Sequence, residues 1–423
     1  MAEYAVVNKT QLDADMTSVA DTIRTKGGTT EQLAWPDEYN AAIKAIQTGG
    51  GFTPPASKTL DPDIVYAMTR PADWLPMPTP GDDEIYILCH VIDGLTATFK
   101  AHLTITGSVT VEFGTIIDGV FVAQETVSRN DTGTMSYVIN SANYGNLTSD
   151  GMVQCMVRIK GSVTIFNGVP TSDTHPGVEF VCGIDLNKVQ FGYTPAPQRC
   201  WYNLRYVSFV GDGGAKSLEQ AFYNCFSLVC VRCEKENIVN NIASTFRQTQ
   251  GLVAVSENLI AGTEIAVEPS YLFQTSGITY FPDFKVKAAS FKNVFYGASI
   301  SDIDMSDIDT SECKSMEGLF RYGYPIRKIV GLDISSLNTT TYMFTHLQNL
   351  STLVFAGETT TGGITIDLAD GGGMTHTALV DTINSLPTAT TAATLDISDC
   401  GGKSELTEEE IAVATAKNWT LTI

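Results

Sequence analysis

The chain has 423 residues, of which 43% are hydrophobic and 17% are charged, and its formal net charge is −21. Nucleic-acid backbones and anionic lipid surfaces attract basic proteins, so this charge argues against both as partners. The length suits about two to four domains. The sequence contains neither a long apolar run nor a basic, apolar leader at its start, so we expect no membrane span and no secretory signal.

The first 51 residues predict a small helical module. Its apolar stripe follows a helical period and consists of Leu12, Met16, Val19, Ile23, Trp35, Tyr39 and Ile43. The glycine pair 27–28 separates two helices, and residues 52–60 read as a linker. Two helices of this size bury little apolar surface by themselves. They therefore need a packing partner, either another chain or the following domain.

Residues 61–195 predict an all-β domain. Valine, isoleucine, threonine and aromatic residues dominate six segments, and clusters of turn-forming residues separate them. These segments are residues 84–92, 96–114, 120–128, 135–140, 152–166 and 178–184. Short strands with regular turns favour a β-sandwich.

A phenylalanine frame recurs through residues 196–355. In each copy an aliphatic residue follows the phenylalanine by five or six positions, and another apolar residue follows three positions later. The copies are Phe222/Leu228/Val231, Phe246/Leu252/Val255, Phe273/Ile278/Phe281, Phe295/Ile300/Ile303, Phe320/Ile326/Ile329 and Phe344/Leu350/Leu353. A period of about 20–29 residues is typical of leucine-rich solenoids. Because each coil buries its apolar face only against its neighbours, the frame predicts one elongated core.

Residues 356–423 leave this frame and predict an α/β cap for the open end of the solenoid. A helix is predicted from three apolar residues and a terminating proline, at Leu379, Ile383, Leu386 and Pro387. Residues 394–397 predict a strand. Thr407 and Glu410 form a capping-box pattern before a second helix that ends near Lys417, and residues 419–423 predict a last strand.

The motifs for metal or redox chemistry are weak. Cys230 and Cys233 form a C-x-x-C pair, but in a strand they would point to opposite faces and could not share a ligand. The nine cysteines are irregularly spaced, and we expect them to be reduced and mostly buried. Four aspartates in residues 302–309 suggest calcium, yet the glycine and glutamate of an EF-hand loop are out of position.

Catalytic patterns are equally weak. The five histidines lie in unrelated segments, at His90, His102, His175, His346 and His376. We therefore predict no catalytic residue, no metal ligand and no cofactor. Because triads and carboxylate pairs assemble in space rather than in sequence, a glycan hydrolase stays open as an alternative.

Strand parity predicts a candidate binding surface on the repeats. Where the last residue of each frame points into the core, its neighbours in the strand face outward. This outward row consists of Arg232, Ser256, Tyr280, Asp302, Asp304, Lys328 and Thr352. Its mixed polar character suits hydrogen bonding to a glycan or to a protein epitope. A solvated face without a ligand, loops at the repeat edges and the β domain remain the alternatives.

Several segments of the repeats resemble a known family. Residues 303–311 with residues 316–320, and residues 332–339 with residues 342–344, resemble the repeats of bacterial surface proteins of the BspA-like leucine-rich class. Residues 221–228 resemble the same repeat at its helical turn. The resemblance covers residues 215–355 and implies a solenoid.

The remaining segments resemble bacteriophage tail proteins. Residues 20–29, 33–37 and 41–46 resemble a short module of tail and fibre proteins, and residues 69–78 resemble the opening of a β domain found in tail fibres. That domain is a PKD-like sandwich, in which residues 111–119 here replace the usual Trp-Gly-Asp-Gly turn. Residues 408–422 are similar to the ends of such fibres.

Together these observations predict a multidomain α+β protein. Its parts are a helical attachment module (1–51), a linker (52–60), a PKD/immunoglobulin-like β-sandwich (61–195), a leucine-rich-repeat solenoid (196–355) and an α/β cap (356–423). The resemblance implies a phage receptor-binding protein, made in the bacterial cytoplasm and located on the virion tail. Its N-terminal stripe would contact tail or baseplate proteins, its distal part would bind a host-surface glycan or protein, and the family suggests a homotrimer. A bacterial leucine-rich adhesin and a tail-associated glycan hydrolase are the alternatives.

Overall fold

The described part of the chain is built mainly from β-strands, with three helices, and is of the predicted α+β class. This computed structural model describes residues 61–169, 175–184, 189–190, 192–193, 199–211, 217–237, 239, 241–260, 269–280, 287–306, 308–368 and 373–423. The chain divides into two units, Met1–Ala56 and Ser57–Ile423, and every described residue belongs to the second. The predicted helical module, its apolar stripe from Leu12 to Ile43, the linker and Phe281 lie outside the described residues.

All six segments predicted as strands in the β domain are strands. The first seven strands are β1 (Glu84–Ile92), β2 (Thr96–Ile117), β3 (Val120–Arg129), β4 (Gly133–Asn140), β5 (Asn146–Leu147), β6 (Met152–Gly168) and β7 (Gly177–Cys182). They pair antiparallel: β1 with β6 and β7, β2 with β3, β4 and β6, and β5 with β6. A short 3-10 turn, Ser141–Asn143, follows β4.

β2 and β6 are long, and β2 is sharply bent, which the prediction of short strands did not anticipate. The first part of β2 pairs with β4 and its last part pairs with β3. The rings of Phe99 and Phe113 lie 5.9 Å apart, whereas that length of extended strand spans about 46 Å. β2 therefore folds back over a core. At the bend Gly161 pairs with Val109 at φ 126°, and a Cβ there would lie 2.8 Å from the Ser108 carbonyl oxygen.

The same sheet continues past the boundary predicted between the β domain and the repeats. The next strands are β8 (Val189–Gln190), β9 (Gly192–Tyr193), β10 (Arg199–Cys200), β11 (Tyr206–Phe209), β12 (Cys230–Cys233) and β13 (Ala254–Val255). The order β13-β12-β11-β7-β1-β6-β2-β3 joins both regions, and β11 runs parallel to β7 and β12. Trp201 is fully buried against Phe99, Phe166 and His175. The chain after residue 196 thus completes the core of the β domain, and the sheet has no break at the predicted boundary.

The six frame phenylalanines form a continuous stack. From Phe222 to Phe344, consecutive ring centroids lie 5.3, 5.5, 6.3, 5.8 and 5.7 Å apart, and the planes differ by at most 23°. Each ring is at most 1% exposed, and the described aliphatic residues of the frame are equally buried. Aromatic pairs contribute about 0.5–1.5 kcal/mol beyond the burial of their area. The frame therefore marks interlocked, buried side chains.

Each frame phenylalanine lies within a series of tight turns rather than in the helical turn that the resemblance implied. The residues two before and two after it have left-handed backbone, with φ between 53° and 66°. These pairs are Gln220/Asn224, Ser244/Gln248, Tyr271/Thr275, Asn293/Gly297, Gly318/Tyr322 and Tyr342/His346. The phenylalanine N–H donates to the carbonyl just before the next phenylalanine, as from Phe222 to Thr245 and from Phe320 to Met343, both at 3.0 Å. Hydrogen bonds thus tie each coil to the next.

Parallel strands accompany the last coils. They are β14 (Asp302–Asp304), β15 (Lys328–Asp333) and β16 (Thr352–Ala356), while a 3-10 turn, Glu257–Ile260, follows β13. Ile303, Ile329 and Leu353 share one register position and are buried. The carboxylates of Asp304 and Asp333 accept the N–H of the serine two residues later, at 2.9 and 2.8 Å. These Asx turns lead the chain out of the strands.

The C-terminal part alternates strands and helices, as predicted. The helix Pro62–Thr69, which precedes β1, is called α1. The C-terminal elements are β17 (Thr359–Gly362), β18 (Thr365–Asp367), α2 (His376–Ser385), β19 (Thr388–Thr391), β20 (Ala393–Asp396), the 3-10 turn Lys403–Glu405, α3 (Glu408–Ala416) and β21 (Trp419–Thr422). The capping box forms, with the Thr407 N–H donating to Glu410 at 2.8 Å and the Glu410 N–H donating to Thr407 at 3.3 Å. Trp419 is buried, and its indole N–H donates to the Pro387 carbonyl at 2.8 Å. The buried residues of the cap, such as Leu379 and Trp419, continue the apolar core of the coils.

A second, smaller apolar cluster covers the outer face of the large sheet. α1 and the segment after it bring Val65, Trp74 and Leu75 against Tyr206 and Cys230 on the strands. Pro62 stands at the first turn of α1, and the Asp61 carboxylate caps it by accepting the Asp63 N–H at 2.8 Å. Because α1 and the segment after it cover this face, the strand residues beneath them are shielded from solvent.

Candidate functional site

The structure divides the predicted outward row into two groups. Asp302, Lys328 and Thr352 share one register position across β14, β15 and β16, so the sequence placed these three correctly beside one another. Asp304 lies on the same face, one pair further along, next to Val330. Asp302 and Lys328 are exposed, whereas Asp304 and Thr352 are half-buried. This group forms a mixed polar strip on the last coils.

The first members of the row do not form a free surface. Ser256 is only 9% exposed, and its hydroxyl donates to the Cys233 carbonyl at 3.0 Å, so the prediction that it faces outward is wrong. Arg232 is half-buried under α1, where it pairs with Asp63 at 2.5 Å and lies 4.4 Å from the Tyr66 ring centroid. Tyr280 is 39% exposed. Strand parity alone could not show that a helix covers β11–β13.

Arg232 and Ser256 line a cleft of about 750 Å³ between α1 and the ends of β11–β13. Beneath it the Glu179 carboxylate accepts from Arg70 at 2.8 Å and from the Tyr66 hydroxyl at 2.6 Å. Burial raises the pKa of Glu179, and burial together with this carboxylate raises the pKa of Tyr66 well above its ordinary value. Arg70 and Tyr66 therefore donate their hydrogen bonds to the Glu179 carboxylate, and this contact holds α1 against the sheet.

A second cleft, of about 540 Å³, brings together two histidines that the sequence left in unrelated segments. His90 and His175 both line it, with Trp74, Asp150 and Arg205 on its walls. Burial lowers the pKa of His90 to about 4 and that of His175 to about 3, so both rings are neutral at pH 7.

Both imidazoles in this second cleft are engaged by neighbouring groups. His90 Nε2 lies 2.8 Å from the side-chain amide of Gln154, and its ring meets Trp74 edge-on at 4.6 Å. His175 Nε2 lies 3.1 Å from the Lys100 carbonyl oxygen, and its Nδ1 accepts the Gly177 N–H at 3.0 Å. Hydrogen bonds and ring contacts hold both imidazoles in place.

The C-x-x-C pair behaves as strand parity predicted. Cys233 belongs to the main core, whereas Cys230 belongs to the cluster under α1, on the other face of β12. Burial raises the pKa of Cys230 to about 12 and that of Cys233 to about 11, which keeps both thiols protonated and weakly nucleophilic. Eight cysteines are free and buried, namely Cys89, Cys155, Cys182, Cys225, Cys230, Cys233, Cys313 and Cys400.

The aspartates near residue 305 serve the turns. Asp309 accepts the N–H and the hydroxyl of Ser311 at 3.1 and 2.5 Å, and its carboxylate lies 3.5 Å from Lys287. Asp307 lies outside the described residues. Within the described ranges no three histidine, cysteine, aspartate or glutamate side chains cluster in a way that could hold a metal ion.

The sequence analysis missed a Tyr–Arg–Tyr pattern on the turn face of the coils. In the first cluster (Tyr223, Arg247 and Tyr271) the Arg247 guanidinium carbon lies 5.2 Å from the Tyr223 ring centroid and 5.1 Å from that of Tyr271. Tyr223 and Arg247 each directly follow a frame phenylalanine, and Tyr271 precedes one by two positions. Three consecutive coils thus contribute one residue each.

The second cluster (Tyr296, Arg321 and Tyr342) repeats this arrangement at equivalent positions of the next three coils. The Arg321 guanidinium carbon lies 5.9 Å from the Tyr296 ring centroid and 4.5 Å from that of Tyr342. Tyr322 extends the cluster, with its ring 5.0 Å from Arg321 and stacked 4.6 Å from His346. Tyr342 is 54% exposed, so the second cluster opens to solvent.

Both guanidinium groups lie against rings. The Nε atoms of Arg247 and Arg321 are buried, and neither has a hydrogen-bond partner among the described residues. Buried polar atoms without a partner are uncommon in native proteins, and here the tyrosine rings cover these atoms. Aligning the coils on the frame phenylalanines would have revealed the pattern, because the same residue types recur three coils apart. A search of single motifs could not.

No protein-family model, curated protein or solved structure matches this chain. None of the helices in the described ranges is long and apolar enough to cross a membrane. The site must therefore be interpreted from its own geometry.

Proposed function

We propose that the chain is a non-enzymatic receptor-binding protein of a bacteriophage tail. In this proposal residues 1–51 attach to tail or baseplate proteins. The β region that begins at residue 61 is a brace whose sheet continues into β11–β13, and the coils up to residue 355 form a leucine-rich-repeat solenoid that meets the host surface. Residues 356–423 close its end. Tail attachment rests on the N-terminal stripe from Leu12 to Ile43.

The observation that carries the proposal is the stack of buried phenylalanines with its hydrogen bonds from coil to coil. Because every coil contacts chiefly its neighbours, the stack fixes the backbone and leaves the turn faces free to carry recognition residues. The two Tyr–Arg–Tyr clusters occupy such turn faces. Tyrosine and arginine are the residue types enriched at binding surfaces and at their energetic centres.

The described titratable groups support binding rather than catalysis. His90, His175 and Glu179 are each engaged by hydrogen bonds inside the protein. The resemblance to phage fibres supports the tail location, and the resemblance to bacterial surface repeats supports recognition at a cell surface.

The test uses the full-length chain carrying a fluorescent label, incubated with a panel of bacterial strains. We expect saturable binding to a subset of strains without release of soluble sugar. Release of reducing sugar with turnover would instead identify a glycan hydrolase. Binding to none of the strains would contradict a receptor-binding role.

Tail attachment is tested in the virus that encodes the chain, by deleting residues 1–56 and measuring the chain in purified particles by immunoblot. We expect the shortened chain to be made but to be absent from particles. Particles that still contain it would show that attachment lies elsewhere. Recovery of the intact chain on the surface of bacterial cells, instead of in particles, would identify an adhesin.

A further inference from the structure

We propose that the two Tyr–Arg–Tyr clusters together bind one acidic polysaccharide, laid along the turn face of the coils. The attraction is local to the two arginines, because the chain as a whole, with a net charge of −21, repels polyanions. This inference rests on the proposed receptor-binding function and specifies its ligand class and site. The residues that would contact the polymer are Tyr271, Arg247, Tyr296, Arg321, Tyr324 and Tyr342.

The first argument is the equivalence of the clusters. Each uses the residue after the phenylalanine in two consecutive coils and the residue two before it in the third. Three coils separate the arginines, and the rings of the phenylalanines beside them, from Phe246 to Phe320, follow one another at 5.5, 6.3 and 5.8 Å. Two like sites at a fixed interval match a ligand that repeats along its length.

The second argument is the state of the arginines. Each guanidinium is held in place by two or more tyrosine rings, and its Nε is buried, so only its terminal N–H groups are left to bind a ligand. An arginine fork binds carboxylate or phosphate in two parallel hydrogen bonds. Lys292 of the same coil as Tyr296 is instead paired with Glu317 at 3.0 Å, which leaves the arginines as the cations of these clusters.

The third argument is the exposed aromatic surface around Arg321. Tyr342 is 54% exposed, and Tyr324, whose ring lies 6.2 Å from that of Tyr322 and 6.4 Å from that of His346, is 48% exposed. Tyrosine presents an apolar face with a polar hydroxyl and loses little conformational freedom on binding, so it suits the apolar faces and hydroxyl groups of a sugar ring. Sugars supply both kinds of surface, and an acidic sugar also supplies the partner for arginine.

The shape of the site favours a long, flat ligand. The residues of the two clusters line neither of the two clefts described above. A shallow surface contact with one sugar unit is weak, but two linked contacts act at a high effective concentration and strengthen binding by about 10²–10⁴. A polysaccharide meets this requirement, because both contacts belong to one molecule.

The test measures binding of the full-length chain to immobilised polygalacturonate, which carries carboxylates, to phosphomannan, which carries phosphates, and to neutral dextran. We expect binding to at least one acidic polymer, weakened by salt, and little to dextran. Whichever acidic polymer binds more tightly identifies the acidic group. Equal binding to dextran, or binding to neither acidic polymer, would overturn the inference.

Three substitutions localise the site, and a fourth is the control. Arg247→Ala and Arg321→Ala each remove charge-assisted hydrogen bonds, and we expect each to weaken binding by about tenfold. Tyr324→Ala removes an exposed ring and should weaken binding while leaving the fold intact. Lys328→Ala removes the same charge from the strand face of the coil that carries Arg321, and should change binding less than twofold.

The outcomes separate this inference from the proposed function. Circular dichroism confirms the fold of each variant, and Tyr324→Ala provides the test if an arginine variant does not fold. Equal losses in Lys328→Ala and Arg321→Ala would move the site to the strand face and overturn the inference. A chain that binds bacterial cells but no acidic polymer would refute the inference alone, because the receptor-binding role would stand.

Discussion

Replacing Phe246 by alanine tests whether the ring stack holds the coils together. The ring is 0% exposed and lies 5.3 Å from Phe222 and 5.5 Å from Phe273. A buried phenylalanine removes about 150–250 Å² from water, which corresponds to about 4–6 kcal/mol at about 25 cal/mol per Å². Measured substitutions of this kind lower the free energy of unfolding by about 3–5 kcal/mol. We expect a loss in that range.

Urea denaturation followed by far-ultraviolet circular dichroism measures the loss. With a slope of about 3 kcal/mol per molar, the midpoint should fall by roughly 1–1.5 M. The matched control is Phe226→Ala in the preceding coil, because Phe226 is 37% exposed and stacks only at the surface on Tyr202. We expect the control to lose about 1 kcal/mol or less. Similar midpoints for the two variants would refute the idea that the stack stabilises the coils.

Three further substitutions probe other contacts. Arg70→Met leaves the Glu179 carboxylate buried without its cation and should lower the free energy of unfolding by about 3–5 kcal/mol at pH 7. Because the folded pKa of Glu179 is already raised and rises further without Arg70, this loss should grow as the pH rises above the ordinary glutamate range, which urea midpoints at acidic and neutral pH will show. Below that range a smaller loss should remain, because Arg70 also donates to the carbonyls of Trp74 and Leu75. Thr407→Ala removes a capping box and should destabilise α3 by about 0.5–2 kcal/mol, measured by hydrogen exchange within that helix; unchanged exchange would contradict this. Gly277→Ala should lower the melting temperature because a Cβ there would overlap the Gln250 carbonyl oxygen, whereas Gly145→Ala, with open space around its Cβ, should not, and equal shifts would contradict the close approach.

Periodicity revealed the buried frame because one residue type was repeated at one place in every coil. Phe222 and Phe344 could be assigned to the same stack from their spacing alone. The turns around them could not be predicted, because residues such as Tyr271 and Gln248 adopt left-handed backbone that their types do not favour. Hydrogen bonds to the neighbouring coil hold these residues in that conformation, and the sequence of a single repeat does not predict such bonds.

The predicted outward row failed where a distant segment covers the strands. Parity placed Arg232 and Ser256 on the outer face of their strands, but α1 comes from more than 160 residues earlier in the chain, as the separation of Asp63 and Arg232 shows. The Tyr–Arg–Tyr clusters were missed for a related reason. Their members lie about 25 residues apart, and only coil stacking brings Arg321 between Tyr296 and Tyr342.

The hydrogen bonds from coil to coil have a mechanical consequence. They point along the stack while the strands lie across it, so tension applied along the stack would be carried by these bonds one interface after another. An assembly loaded in series separates at its weakest interface. The pair Phe273 and Phe295 has the widest ring spacing, 6.3 Å, and marks the interface expected to open first under force. Pulling would then lengthen the molecule in steps, as one coil after another separates, instead of stretching it gradually.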